Sequence, residues 1–391
     1  MAALTRRRLL GAAGTGAAGL AVGGYAVGRA SEGDGPHPSA LPVPFYGEHQ
    51  AGIVTPAQDR LAFGAFDLTL TSAAELRDLL RAWSIAAERM TRGEPAGEPG
   101  TVPLAPPEDT GEALDLPAAR LTVTIGLGPG VFGERFGLAG KRPASLKELE
   151  ALPGDELEAA RSGGDLCVQA CADDPQVAFH AMRNLTRIAR GAATLRWAQL
   201  GFGRTSAITS GQEVPRNLMG FRDGTNNLRG DDPAAMDKHV WVGADEPQAW
   251  LRGGSYLVAR RIRMLIESWD RASLDDQENT IGRRKIANDL LPHRGPETAH
   301  VRLADPKAND GAALLRRGYS YTDGIDAASG QLDAGLFFIS FQRDPEQFVA
   351  IQRRLGSSDA LNEYIRHTGS AVFAVPPGTR AGGFVGEALF A

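Results

Sequence analysis

The chain is poor in cysteine, has no excess of basic charge and, past its first 30 residues, offers no apolar run long enough to cross a bilayer. Two cysteines in 391 residues, Cys167 and Cys171, exclude a disulfide framework. They stand four positions apart with only His180 nearby, which makes a poor zinc site. On an extended strand they share one face at about 13 Å, too far for a disulfide without a bend, so both read as buried free thiols. Forty-two basic against 47 acidic residues give a net charge of −5, which speaks against a nucleic-acid binder. Aromatics are sparse at 7%. What the chain does have is 48 glycines and 24 prolines, so many connections must be tight or irregular. Its length and 42% hydrophobic content suffice for two packed domains.

The N-terminus reads as an address. Arg6, Arg7 and Arg8 precede a mildly apolar, glycine-rich run from Gly11 to Val27, and Gly28-Arg29-Ala30 offers a small-x-small cleavage site. Residues 1–30 therefore resemble a twin-arginine export signal, with an uncleaved membrane anchor as the alternative. That route carries folded proteins, which favours a cofactor loaded before export. Residues 31–46 read as a flexible leader. The mature chain is expected to be periplasmic, envelope-associated or extracellular.

Periodicity divides the remainder into two similar series. In the first, Leu61–Leu70 is a strand, Ser72–Met90 a helix with Ser72 and Glu75 in capping-box positions, Ala119–Leu127 and Leu166–Cys171 strands, and Pro175–Thr194 a helix. In the second, Gly254–Met264 is a strand, Ser273–Ile281 begins a helix, Leu336–Phe341 is a strongly apolar strand, Pro345–Leu355 is helical, and Ala371–Val375 closes the series. Each half follows roughly strand, helix, strand, strand, helix, strand. That pattern belongs to an α+β fold with helices packed on an antiparallel sheet. The expected halves are residues 47–215 and 216–391.

Two segments carry the chemistry. Gly220 and Gly224 bracket Phe221-Arg222-Asp223, so the backbone can bend tightly around one carboxylate beside a ligand. His300 begins an apolar element, read as extended, that ends in the turn Asp305-Pro306; Arg316 and Arg317 follow downstream. A haem needs only one protein ligand for its iron and a polar group on the opposite face. The other histidines, His367 among them, have no convergent ligand set.

Gly220-Phe221-Arg222-Asp223-Gly224 is similar to the GxxDG signature of the dye-decolourising (DyP-type) haem peroxidases. Gly164–Pro175, Gln199–Thr205, Glu278–Arg283, His300–Leu303, Arg316–Tyr321 and Leu361–Gly369 resemble the same family in order and spacing. With the export signal, the chain looks most like the exported bacterial branch that includes EfeB-like proteins. The resemblance implies one b-type haem, held mainly by the second of two ferredoxin-like halves of the dimeric α+β barrel type. It implies His300 as the proximal iron ligand and Asp223 with Arg316 as the distal pair. Gly224, Thr225 and Asn226 would run along the haem edge, with Asp305, Pro306 and Lys307 on the turn at the other side. The carboxylate behind His300 would be Glu363 first, or Asp359. The implied activity reduces hydrogen peroxide and oxidises dyes, phenolics or another donor through a ferryl porphyrin-radical intermediate. A haem- or iron-supply role of the deferrochelatase type is the alternative, and a non-enzymatic haem carrier a third. The expected partners are hydrogen peroxide, a reducing substrate and the export machinery, with the chain a monomer or small homo-oligomer.

Overall fold

The computed structural model describes residues 41–98, 100 and 102–391. The export-signal reading and most of the leader lie outside the described residues. The first half runs β1 (Arg60–Leu68), α1 (Ala73–Thr91), β2 (Thr122–Leu127), β3 (Leu166–Ala172), α2 (Pro175–Ile188) and β4 (Ala193–Arg204); α3 (Pro233–His239) follows. The second runs β5 (Ser255–Met264), α4 (Ile266–Trp269), α5 (Leu274–Ile281), α6 (His300–Leu303), β6 (Leu315–Arg316), β7 (Tyr319–Ile325), β8 (Leu332–Gln342), α7 (Glu346–Ser358) and β9 (Ile365–Val375).

The strand order is β2-β3-β1-β4 in the first half and β9-β5-β8-β7 in the second, with β6 beside β8. These are two copies of the split βαβ arrangement. Antiparallel seams β4–β7 and β2–β9 join them into a closed barrel. The seams are light: Leu127 pairs with Ala374 at one, and Phe202 with Ser320 and Arg204 with Tyr319 at the other.

Side-chain alternation then sorts the residues. Leu61, Phe63 and Ala65 of β1 meet Phe337, Ile339 and Phe341 of β8 inside the barrel, together with both cysteines, which are buried and free. The opposite faces look outward to the helices. In the first half that face is filled. The Ser72 hydroxyl accepts from the Glu75 N–H and the Glu75 carboxylate accepts from the Ser72 N–H, starting α1 with a capping box. Leu76, Leu79, Leu80 and Trp83 then pack onto the sheet, and the Trp83 indole donates to the Leu185 carbonyl at 2.9 Å.

Three local expectations change. The helix from Pro175 ends at Ile188, and residues 193–204 form a strand, β4. Its solvent face carries Arg196, Ala198 and Leu200, so apolar alternation is faint. The strand expected from Ala119 begins at Thr122, because Ala119 and Arg120 hold positive φ of 49° and 52°. His300 does not start an extended element: Leu303 N–H donates to Ala299 and Ala304 N–H to His300, closing a single helical turn.

Candidate functional site

The stretch 215–226 is a loop held by its own backbone. Asn217 N–H donates to the Phe221 carbonyl at 2.9 Å and Asp223 N–H to Pro215 at 3.0 Å. Gly224 has φ 69° and sits so near Ser206 that an added Cβ would lie 3.0 Å from its Cα, so both conformation and space call for glycine. Beneath the loop Phe221 packs edge-on to Trp269 at 6.0 Å, and the Trp269 indole donates to the Met219 carbonyl at 3.0 Å.

This support fixes the Asp223 carboxylate. It accepts from Arg316 Nη1 at 3.2 Å and from the Asn217 amide at 3.3 Å. Arg316 is delivered by β6, whose Leu315 points into the barrel while Arg316 points out. Asn227 ties strand to loop: its amide donates to the Arg316 carbonyl at 2.9 Å, and its carbonyl oxygen accepts the Arg316 N–H at 2.7 Å.

His300 lines the same cavity. Its Nδ1 lies 2.6 Å from the Asp359 carboxylate, which as an acceptor fixes the N–H on Nδ1. Asp359 is nearly inaccessible at 2%, whereas His300 keeps 30% of its side-chain surface open toward the cavity. Burial works against charge on His300, but the Asp359 carboxylate outweighs it. With Asp223 adding and Arg316 opposing, the imidazole is held above its ordinary range. The place behind His300 therefore belongs to Asp359. Glu363, the first sequence choice, lies at the end of the turn Ala360–Glu363, while Asp359 caps that turn by accepting the Leu361 N–H.

The void between these groups measures about 1530 Å³ including its mouth, and Ile262, Met264, Leu336, Phe338 and Leu355 give it apolar walls. Gly224, Thr225, Asn226 and Pro306 line it as expected. Asp305 and Lys307 do not. The Asp305 carboxylate turns away to accept the Lys307 N–H at 2.8 Å and to pair with Arg294 at 2.8 Å, and Lys307 is exposed.

Sequence reasoning missed other wall residues. His367 is buried beside Gln352, whose amide donates to its Nε2 at 3.1 Å. Burial, then the charge of Arg260, pushes His367 down to about 3, so it is neutral. Arg260 is fully buried and paired with Asp155 from the first half. Arg283 and Arg294 also face the cavity. Only the Glu278–Arg283 segment carried any signal, as part of the resemblance. The rest come from strands whose pattern reports burial and not which side holds a void.

A flat, mostly apolar, doubly acidic iron macrocycle matches this chamber: one imidazole opens onto it, a carboxylate–guanidinium pair faces it from another wall, and cations remain at its edge. Comparison with known proteins agrees. The profile "Dyp-type peroxidase, N-terminal" matches residues 50–203 and "Dyp-type peroxidase, C-terminal" residues 214–380. Deferrochelatase of Escherichia coli K12 is 38% identical over 369 residues, covering 88% of this chain and 86% of that one. Ferric DtpA from Streptomyces lividans superposes with a TM-score of 0.80 at 42% identity, over 90% of this chain and 98% of that one. A DyP-type peroxidase from Cellulomonas bogoriensis gives 0.80 at 38%, over 90% and 99%. With matches running through both halves of the barrel, the chain belongs to the Dyp-type peroxidase family, the haem peroxidases built on paired ferredoxin-like halves.

Proposed function

We propose that Asp223, Arg316, His300 and Asp359 perform the peroxidase reaction of this family in this chain. The observation that carries the assignment is the placing of both pairs, Asp223–Arg316 and His300–Asp359, in the wall of one cavity. Haem, when bound, supplies a redox-active iron that takes up the oxidising equivalents of hydrogen peroxide and hands them to a donor. His300 would hold that iron through Nε2, since Nδ1 is committed to Asp359. Asp359 fixes the ring and raises its electron density. Asp223 takes a proton from hydrogen peroxide and returns it to the departing oxygen, directly or through one water. Arg316 keeps a fixed charge where negative charge develops on the peroxide oxygens, and the apolar walls strengthen it by excluding water. Asn217 and Asn227 hold this pair in register.

The test is rapid mixing of haem-loaded protein with hydrogen peroxide, followed by absorbance and by oxidation of a dye or phenol. Arg316→Leu should slow the reaction by about a hundredfold or more. Asp223→Ala should slow it less, because water can replace a carboxylate as proton carrier but not a guanidinium charge. His300→Ala should lose stable haem. Wild-type rates in both distal variants at equal haem content would overturn the assignment.

The 38% relative named Deferrochelatase favours a second reading, release of iron from haem for supply. Metal-free porphyrin fluorescence appearing without peroxide consumption would select it; dye oxidation with intact haem selects peroxidase. We also place the mature protein outside the cytoplasmic membrane, exported by the twin-arginine route, on the strength of Arg6-Arg7-Arg8 before a glycine-rich apolar run. Replacing Arg7 and Arg8 by Lys should retain it in the cytoplasm on fractionation. A monomer or small homo-oligomer is the assembly proposed, checked by light scattering.

A further inference from the structure

One wall of the cavity carries a charge that the roles above do not use. Among the described residues, three of its guanidiniums have a carboxylate partner: Arg260 with Asp155, Arg294 with Asp305, and Arg316 with Asp223. Arg283 has none. It donates from Nη1 to the Asn288 carbonyl at 2.6 Å and from Nη2 to Thr225 Oγ1 at 2.8 Å, both neutral acceptors. The remaining cavity arginine, Arg222, is exposed to water, whereas Arg283 is partly buried. Burial and then the like charge of Arg294 hold the Arg283 guanidinium below its ordinary value, with Asp289 opposing only in part.

The backbone keeps these groups in place. Arg283 directly follows Gly282, which closes α5 at φ 87° with its N–H on the Glu278 carbonyl at 2.7 Å. Arg294 sits on a backbone of φ 63° and is oriented by Asp305 at 2.8 Å. Two cations on an apolar wall with one anion between them cost free energy until a further anion arrives. The planar fork of arginine suits a carboxylate.

We propose that Arg283, supported by Arg294, docks a carboxylate of the tetrapyrrole, so that the site selects porphyrins bearing ionised acid side chains over their neutral esters. This rests on the haem reading of the cavity. Arg283 is also a positioning residue for the reaction, because it holds Thr225, two residues from Asp223. Docking the carboxylate therefore fixes the loop that carries the proton-transfer group.

The probes are metal-free protoporphyrin IX and its dimethyl ester, titrated by fluorescence into haem-free full-length protein, so that iron ligation by His300 plays no part. Wild type should prefer the acid by about tenfold to hundredfold, the worth of one charge-assisted contact. Arg283→Met should remove most of that preference while ester binding stays within about threefold, and Arg283→Lys should restore part of it. Hydrogen exchange should slow across residues 217–226 when the acid binds wild type, but not when it binds Arg283→Met. Equal binding of acid and ester by wild type overturns the clamp and leaves the haem reading standing. Equal loss of both ligands in Arg283→Met, at unchanged melting temperature, also overturns it. Failure of wild type to bind either porphyrin sinks the haem reading and the proposal with it.

Discussion

The two halves of the barrel share one strand order and put their outer faces to opposite uses. In the first half that face is covered by α1, 19 residues long, and α2, 14 residues long, and is filled by Leu76, Leu80, Trp83, Met182 and Leu185. In the second half α4 has four residues, α5 eight and α6 four. Here Ile262 and Met264 of β5 and Leu336 and Phe338 of β8, which project outward as Phe66 does from β1, face a void. A repeated topology thus yields a sealed stabilising half and an open binding half. What differs is the length of covering helix.

The comparison can be broken most forcefully at Trp83, which is fully buried. Trp83→Ala should cost about 3–5 kcal/mol in urea unfolding; a cost under about 1 kcal/mol would mean that the first half is not the sealed one. Leu336→Trp makes the reverse test by filling the open side. Haem affinity should fall by about tenfold to hundredfold while the ligand-free protein melts at or above the wild-type temperature. A large loss of stability would show instead that the cavity wall is already close-packed.

The smallest effect concerns the loop that closes the first half. Asp109, 7% exposed, lies 3.0 Å from His180 Nε2 on α2 and accepts the Ala96 and Gly111 N–H groups at 2.7 Å each. Burial alone would raise its carboxyl, but these donors outweigh it and hold it below its ordinary 3.8. A depressed folded value means a contribution that is complete above the ordinary value and lost as pH falls through the lower one. Asp109→Asn should therefore destabilise by about 1–2 kcal/mol at neutral pH, and the gap from wild type should close below pH 3.8. A gap independent of pH would remove the carboxylate from the explanation.

Much of this was legible in the chain itself. Alternation in β5, β8 and β9 and the capping box at Ser72 follow from local rules that tertiary contacts reinforce. Asp223, Arg316 and His300 stood out because the resemblance fixed their places. β4 was missed because a strand with arginine and leucine on its wet face loses its period. The choice between Glu363 and Asp359 turned on a few residues of chain direction within one turn, which no pattern encodes. Arg283 gave no hint of its isolation, since lacking a partner is a property of three dimensions.

The two cysteines on the barrel's inner face have a consequence for endurance. Oxidation of sulfur by peroxide needs a thiolate and a path of approach. Burial holds Cys167 well above the usual thiol range, against a weaker pull from the Gly126 N–H, so it stays a neutral thiol. Both sulfurs lie behind the sheet whose opposite face borders the cavity. A molecule that meets its oxidant at every turnover thus keeps its own most oxidisable atoms in the one compartment the oxidant does not enter. Its inactivation under excess peroxide should accordingly leave the sulfur chemistry blank to sulfenic-acid reagents.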